Sequence, residues 1–178
     1  LYEAERFIAN QQFTHAKNML VGLLHDQPET SNIYARAAFS LAHLYKDEKQ
    51  TDAYEKYLAL SAISDIKVSV KENAALSNLA FVLYERGDVS RAYRYIKRSL
   101  EDAIFCNARL RTVEISRVLP VIEAAYKQQI ERQRHQLVFF LIVVSILSAF
   151  LIVSVILIYK QMKKLSATQR NLKQAKHI

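Results

Sequence analysis

Glycine and proline are nearly missing from this chain, with two of each in 178 residues, beside one cysteine and no tryptophan. That scarcity leaves few places for tight hairpin turns, and no stretch alternates apolar and polar residues long enough to demand a strand. Ile66 to Val70 (IKVSV) alternates briefly but lies between helical patterns, and it is expected to start a helix. A single cysteine, Cys106, excludes an intrachain disulfide, so stability must come from helix packing. The thiol is expected as a small buried apolar group. Glycine-rich phosphate loops are excluded by the isolation of Gly22 and Gly87. Among His15, His25, His43, His135 and His177 no two are spaced i, i+4, so the spacing of a helical metal site is missing as well. Neither a catalytic constellation nor a cofactor is expected, which turns the reading from catalysis to binding.

Acidic residues are missing from one end. All 17 Asp and Glu precede Leu137, where a run of 23 residues begins that holds no charge, glycine or proline: LVFFLIVVSILSAFLIVSVILIY. As a helix it reaches about 35 Å, enough for a hydrocarbon core of about 30 Å with some tilt. Its three serines, Ser145, Ser148 and Ser154, are expected to bond back to the helix's own carbonyls. Leu137, Phe140 and Tyr159 are therefore read as parts of a transmembrane anchor, and the bilayer as a partner. Beyond Tyr159 come six basic residues and no acid, beginning with Lys160, Lys163 and Lys164, whereas the larger N-terminal part has 19 basic against 17 acidic residues. Lys and Arg near a membrane mark its cytoplasmic side, so the tail is expected in the cytoplasm and the N-terminal domain outside. The localisation that follows is a membrane crossed once, with the N-terminal domain on its outer side. The high pI of 9.6 then reports topology, and no nucleic acid is expected on this segment. The chain opens at Leu1 and stops at Ile178 inside a helical pattern, and is expected to be a piece of a longer protein.

What is abundant is helix former at helical spacing. Leu76, Leu79, Ala80 and Leu83, then Ala92, Tyr95, Ile96 and Ser99, make two amphipathic helices joined by Arg86-Gly87-Asp88. Gly87 suits the left-handed residue that ends a helix, and Asp88 or Ser90 suits the cap of the next. This unit, NAALSNLAFVLYERGDVSRAYRYIKRSLED from Asn73, resembles the tetratricopeptide repeat. A second copy places Leu41, Leu44, Tyr45, Ala53 and Tyr57 in the same order, with Glu48-Lys49 at the turn. A first copy uses Ala4, Phe7, Phe13, Ala16, Leu20 and Leu23, with Pro28 closing it. Ala16, Ala53 and Ala92 give spacings of 37 and 39 residues. The fold class expected is all-α: a tetratricopeptide-like solenoid of helical hairpins, one long transmembrane helix, and a short cytoplasmic helix. An irregular helical bundle is the alternative.

The boundaries expected are 1–106 for the repeats (about 1–30, 31–66 and 67–106), 107–136 for a capping and juxtamembrane helix, 137–159 for the span, and 160–178 for the basic helix. The capping helix is expected over Ile104 to Leu119 with Leu110, Val113 and Val118 inward. Pro120 is expected to start a new helix or kink a continuous one. Ile158, Leu165 and Leu172 lie seven apart, hinting at a parallel coiled coil and so at association of two copies through the membrane and tail helices.

The whole arrangement is similar to a group of Bacteroidetes single-pass membrane regulators, on the stretch from Ser61 to Arg111, on ISRVLPVIEAAY, on the apolar span and on the tail beginning YKQMKKL. The resemblance implies a bacterial inner membrane as the location, and a periplasmic repeat domain whose bound state is passed through one membrane helix to a cytoplasmic, in some members DNA-binding, effector. A passive membrane-anchored scaffold for protein–protein interaction is the alternative function. The tetratricopeptide resemblance further implies that the first helix of each hairpin lines a concave face that holds a peptide or protein partner. Carried over, that face comprises Ala42 and Tyr45 in the second unit and Asn78, Phe81, Tyr84 and Glu85 in the third.

Overall fold

The computed structural model describes residues 1–71 and 74–175, with side chains as far as Lys164. Among these residues every regular element is a helix. Three hairpins come first: α1 (Tyr2–Ala9) with α2 (Phe13–Asp26), α3 (Asn32–Asp47) with α4 (Thr51–Lys67), and α5 (Ala74–Glu85) with α6 (Val89–Phe105). The final helix, α7 (Arg109–Ala175), carries the apolar run. The all-α hairpin architecture is thus as the periodicity implied. Asn73, Lys176 and His177 lie outside the described residues, as do the side chains of Leu165 and Leu172 on which the coiled-coil expectation rests.

Five helices end in the same way, and only one of the five stops uses glycine. Gln11, Lys49, Ser69 and Asn107 take positive φ, between 53° and 60°, as does Gly87 at 83°. After each, the next amide donates five residues back, as Gln12 does to Phe7, Gln50 to Tyr45, Val70 to Asp65, Asp88 to Leu83 and Ala108 to Ala103. This is the Schellman closure, which satisfies the last carbonyls of a helix. Residues 11, 49 and 87 are 38 apart, and so are 69 and 107, which fixes a 38-residue repeat.

The core follows that register. Ala4, Ala42 and Ala80, one in each first helix, are fully buried, and Leu20, Leu58 and Ile96 fill the matching place in each second helix. Ala16 and Ala92 are aligned by the register with Tyr54, which is 8% exposed, and not with Ala53, which is only partly buried. The uneven spacings of 37 and 39 arise because the second repeat carries the larger Tyr54 at this place, with Ala53 one residue before it. Between hairpins, the buried Ser64 hydroxyl donates to the Glu29 carbonyl at 2.6 Å, holding the α2–α3 loop to α4. Asp88 caps α6 by accepting from the Arg91 amide at 3.0 Å.

Several expectations need correction. Ile66 to Val70 ends a helix and does not start one, because Ser69 turns left-handed and closes α4. Ile104 and Phe105 belong to the end of α6, and Cys106 lies in the turn after it, exposed. Leu110 is 75% exposed and Val113 50%, so the inward face of α7 is carried by Ile115, Val118, Leu119 and Ile122. The Asn107 turn starts the helix at Arg109 and so sets its rotation. Tyr126 extends that face by stacking on Tyr93 of α6 at 4.4 Å. Of the two alternatives for Pro120 the new helix start falls and the continuous helix stands: it sits inside α7, where it withholds a donor from the carbonyl of Ser116, an exposed residue.

The chain divides into two compact units, Leu1–Gln128 and Gln129–Ile178. Within the second, an 18-residue window reaches a mean hydropathy of 3.2 with none of it buried by the chain itself. Leu137, Phe140 and Tyr159 are 65%, 64% and 69% exposed, and Lys160, Lys163 and Lys164 follow them, exposed. Ser145 donates to the Leu141 carbonyl at 2.8 Å and Ser154 to Phe150 at 2.9 Å, the back-bonding that removes a hydroxyl's cost in lipid. Among the described residues this is the one helix long and apolar enough to cross a membrane.

Candidate binding groove

Helical spacing sets one line of side chains on each of two first helices. On α3 these are Asn32, Arg36, Phe39, His43 and Lys46; on α5 they are Ala75, Asn78, Phe81 and Glu85. Two clefts open along these lines. One, of about 250 Å³, is bounded by Lys46, Tyr54, Asn78, Phe81, Val82 and Glu85. The other, of about 170 Å³, lies at the opposite end of α3, among Asn32, Arg36, Phe39, Ser61, Asp65 and Ala75. An aromatic series joins them: the Phe39 ring meets His43 edge-on at 4.6 Å, and His43 lies 6.3 Å from Tyr54. Lys46 carries its ammonium 5.6 Å from the Tyr54 ring.

The groove's electrostatics are set by burial. Burial and then the nearby Lys46 push the His43 imidazole below its ordinary range, which keeps it neutral at physiological pH. Burial alone pushes the Asp65 carboxyl up to about 6. Arg36 is held at the rim by Glu5 of α1 at 2.8 Å. The surface therefore offers aromatic area, two amides and charges of both signs, which suits an extended polypeptide better than a uniformly charged ligand.

Asn78, Phe81 and Glu85 share the larger cleft. Tyr45 stacks face to face on Tyr57 at 5.3 Å within the second hairpin, and the Lys17 ammonium of the first hairpin lies 4.4 Å from its ring, so Tyr45 serves packing. Tyr84 is half-buried against the core, and Ala42 is fully buried. Arg36, His43, Lys46, Tyr54 and Asp65 were missed. The 38-residue register is a signal for two of them, since it pairs His43 with Phe81 and Asp65 with Ala103.

No curated protein and no solved structure matches the chain. A family match does exist, and it runs over the three hairpins and into α7. Residues 1–117 match the family described as the SusR N-terminal TPR domain, and the chain belongs to that family, the N-terminal domain of a regulator.

Proposed function

We propose that this protein is a single-pass membrane sensor whose repeat domain lies outside the cytoplasmic membrane. It binds a polypeptide in the α3–α5 groove and passes the bound state through α7 to a cytoplasmic effector that regulates transcription. The observation that carries the reading is that α7 both contributes Ile115 and Ile122 to the core of the repeat domain and contains the exposed apolar run. A ligand moves such an equilibrium only by its difference in affinity between two states of the chain. In this reading the two states differ in how two copies of the tail associate.

The test uses the full chain in native membranes, with Cys106→Ser and a new cysteine at Met162. Phe81→Ala combined with Asn78→Ala removes aromatic area and an amide from the groove. We expect the rate of disulfide cross-linking at position 162 to change about fivefold or more, about 1 kcal/mol at the least, which is the low end of coupling between sites. An unchanged rate would reduce the protein to a membrane-anchored scaffold.

A further inference from the structure

Six acidic side chains of the described residues are partly buried: Glu5, Glu55, Asp65, Asp88, Asp102 and Glu123. Five of them are ion-paired, to Arg36, Arg86, Arg91, Lys71 with Arg98, and Lys127 respectively, and Asp65 is the exception. The repeat makes the exception sharper. Asp65 and Ala103 occupy equivalent places, each with its carbonyl accepting the amide five residues on, and Ala103 is 1% exposed core. A carboxylate therefore stands where the third repeat has a buried methyl group, and departures of this kind from a local rule concentrate at functional sites. Taking a charge out of water without a partner is costly, and Asp65 shows that cost in its raised pKa.

The surroundings say what would offset it. The cleft walls are mostly apolar, from Ala35 and Phe39 on α3, Val70 in the following loop, and Ala74 and Ala75 on α5. Asn32 and the buried Ser61 add oxygen acceptors beside the carboxylate. Arg36, the one cation among the described residues of the cleft wall, is already engaged by Glu5. Among the described residues the slot has an apolar throat, one unpaired carboxylate and neutral acceptors, which match a long methylene stem ending in an ammonium.

We propose that the Asp65 cleft receives a lysine side chain from the polypeptide lying in the groove, making it the specificity pocket of that site. The inference rests on the reading of the groove as a polypeptide site. The experiment follows the Asp65 carboxyl by 13C NMR in the full chain in micelles, during titration with Nα-acetyl-lysine-methylamide and with its uncharged isostere Nα-acetyl-norleucine-methylamide. The lysine derivative should lower the Asp65 midpoint by about one unit and saturate, as an opposing charge in contact does, and the norleucine derivative should leave it in place. Asp65→Ala, which restores the residue found at the equivalent core position and so preserves folding, should abolish the saturable shifts at the Ala35 and Ala75 methyl groups. Equal response to the two derivatives, response to neither, or an Asp65 midpoint already in the ordinary range from pairing with Arg36 overturns the proposal. If the lysine derivative binds while the groove variants leave cross-linking at position 162 unchanged, the pocket stands and the sensor reading falls.

Discussion

At the scale of single residues, the helix stops separate conformational cost from contact. A Cβ added at Gly87 would meet nothing within 4 Å, so Gly87→Ala costs only the left-handed backbone penalty, about 1 kcal/mol. Lys49 holds the same conformation in the preceding repeat with a side chain attached, so Lys49→Gly should stabilise the domain by up to about 1 kcal/mol. Thermal melts of the two variants should shift in opposite directions; a loss of stability in Lys49→Gly would contradict the assignment of position 49 to this stop. Two aspartates pull against each other with pH. Asp65 has a folded pKa raised from 3.8 to about 6, so the folded state holds more protons across that window and stability falls as pH rises through it. Asp65→Asn should therefore melt higher than the parent at pH 7, by about 1 kcal/mol once screening of this half-exposed group is discounted, and level with it near pH 4. Asp88 is held low by the Arg91 amide and guanidinium, and its contribution has the opposite sign: present above its unfolded pKa and lost as pH falls through the folded one.

At the scale of elements, the hairpins were legible because apolar spacing and the Gly-Asp turn are local signals. Leu76, Leu79, Ala80 and Leu83 point inward as their spacing implied. Three things were not legible. Gln11, Lys49 and Ser69 stop helices without a residue that announces a stop. Leu110 and Val113 fit an inward stripe as well as Ile115 and Ile122 do, and the Asn107 turn decided between them. In the groove, Phe81 and Asn78 were found from one repeat alone, whereas Asp65 becomes visible only when the 38-residue register sets it against Ala103. The span is the element read most directly. Its 18 Leu, Ile, Val and Phe residues favour insertion by roughly 5–11 kcal/mol in sum, against about 3 kcal/mol for one central arginine. Ser148→Arg alone should thus remain in the membrane fraction, while Leu147→Arg, Leu151→Arg and Val155→Arg together should not. Release of the single variant would show that the run is not an autonomous span.

At the scale of the whole molecule, the account depends on which solvent surrounds each part. The repeat domain of this SusR-type chain has a near-balanced surface charge, the span has none, and every charge after it is positive. Those three compositions side by side are what a chain crossing a bilayer with its basic end inside requires. Cys106 is the sole thiol and is exposed, so it reports sidedness without any engineered label. The direct measurement is reaction of Cys106 with a membrane-impermeant maleimide in cells whose outer envelope is permeable and whose inner membrane is intact. The account predicts labelling as complete as after lysis. Labelling that begins only when the inner membrane is broken would place the repeat domain in the cytoplasm and contradict it.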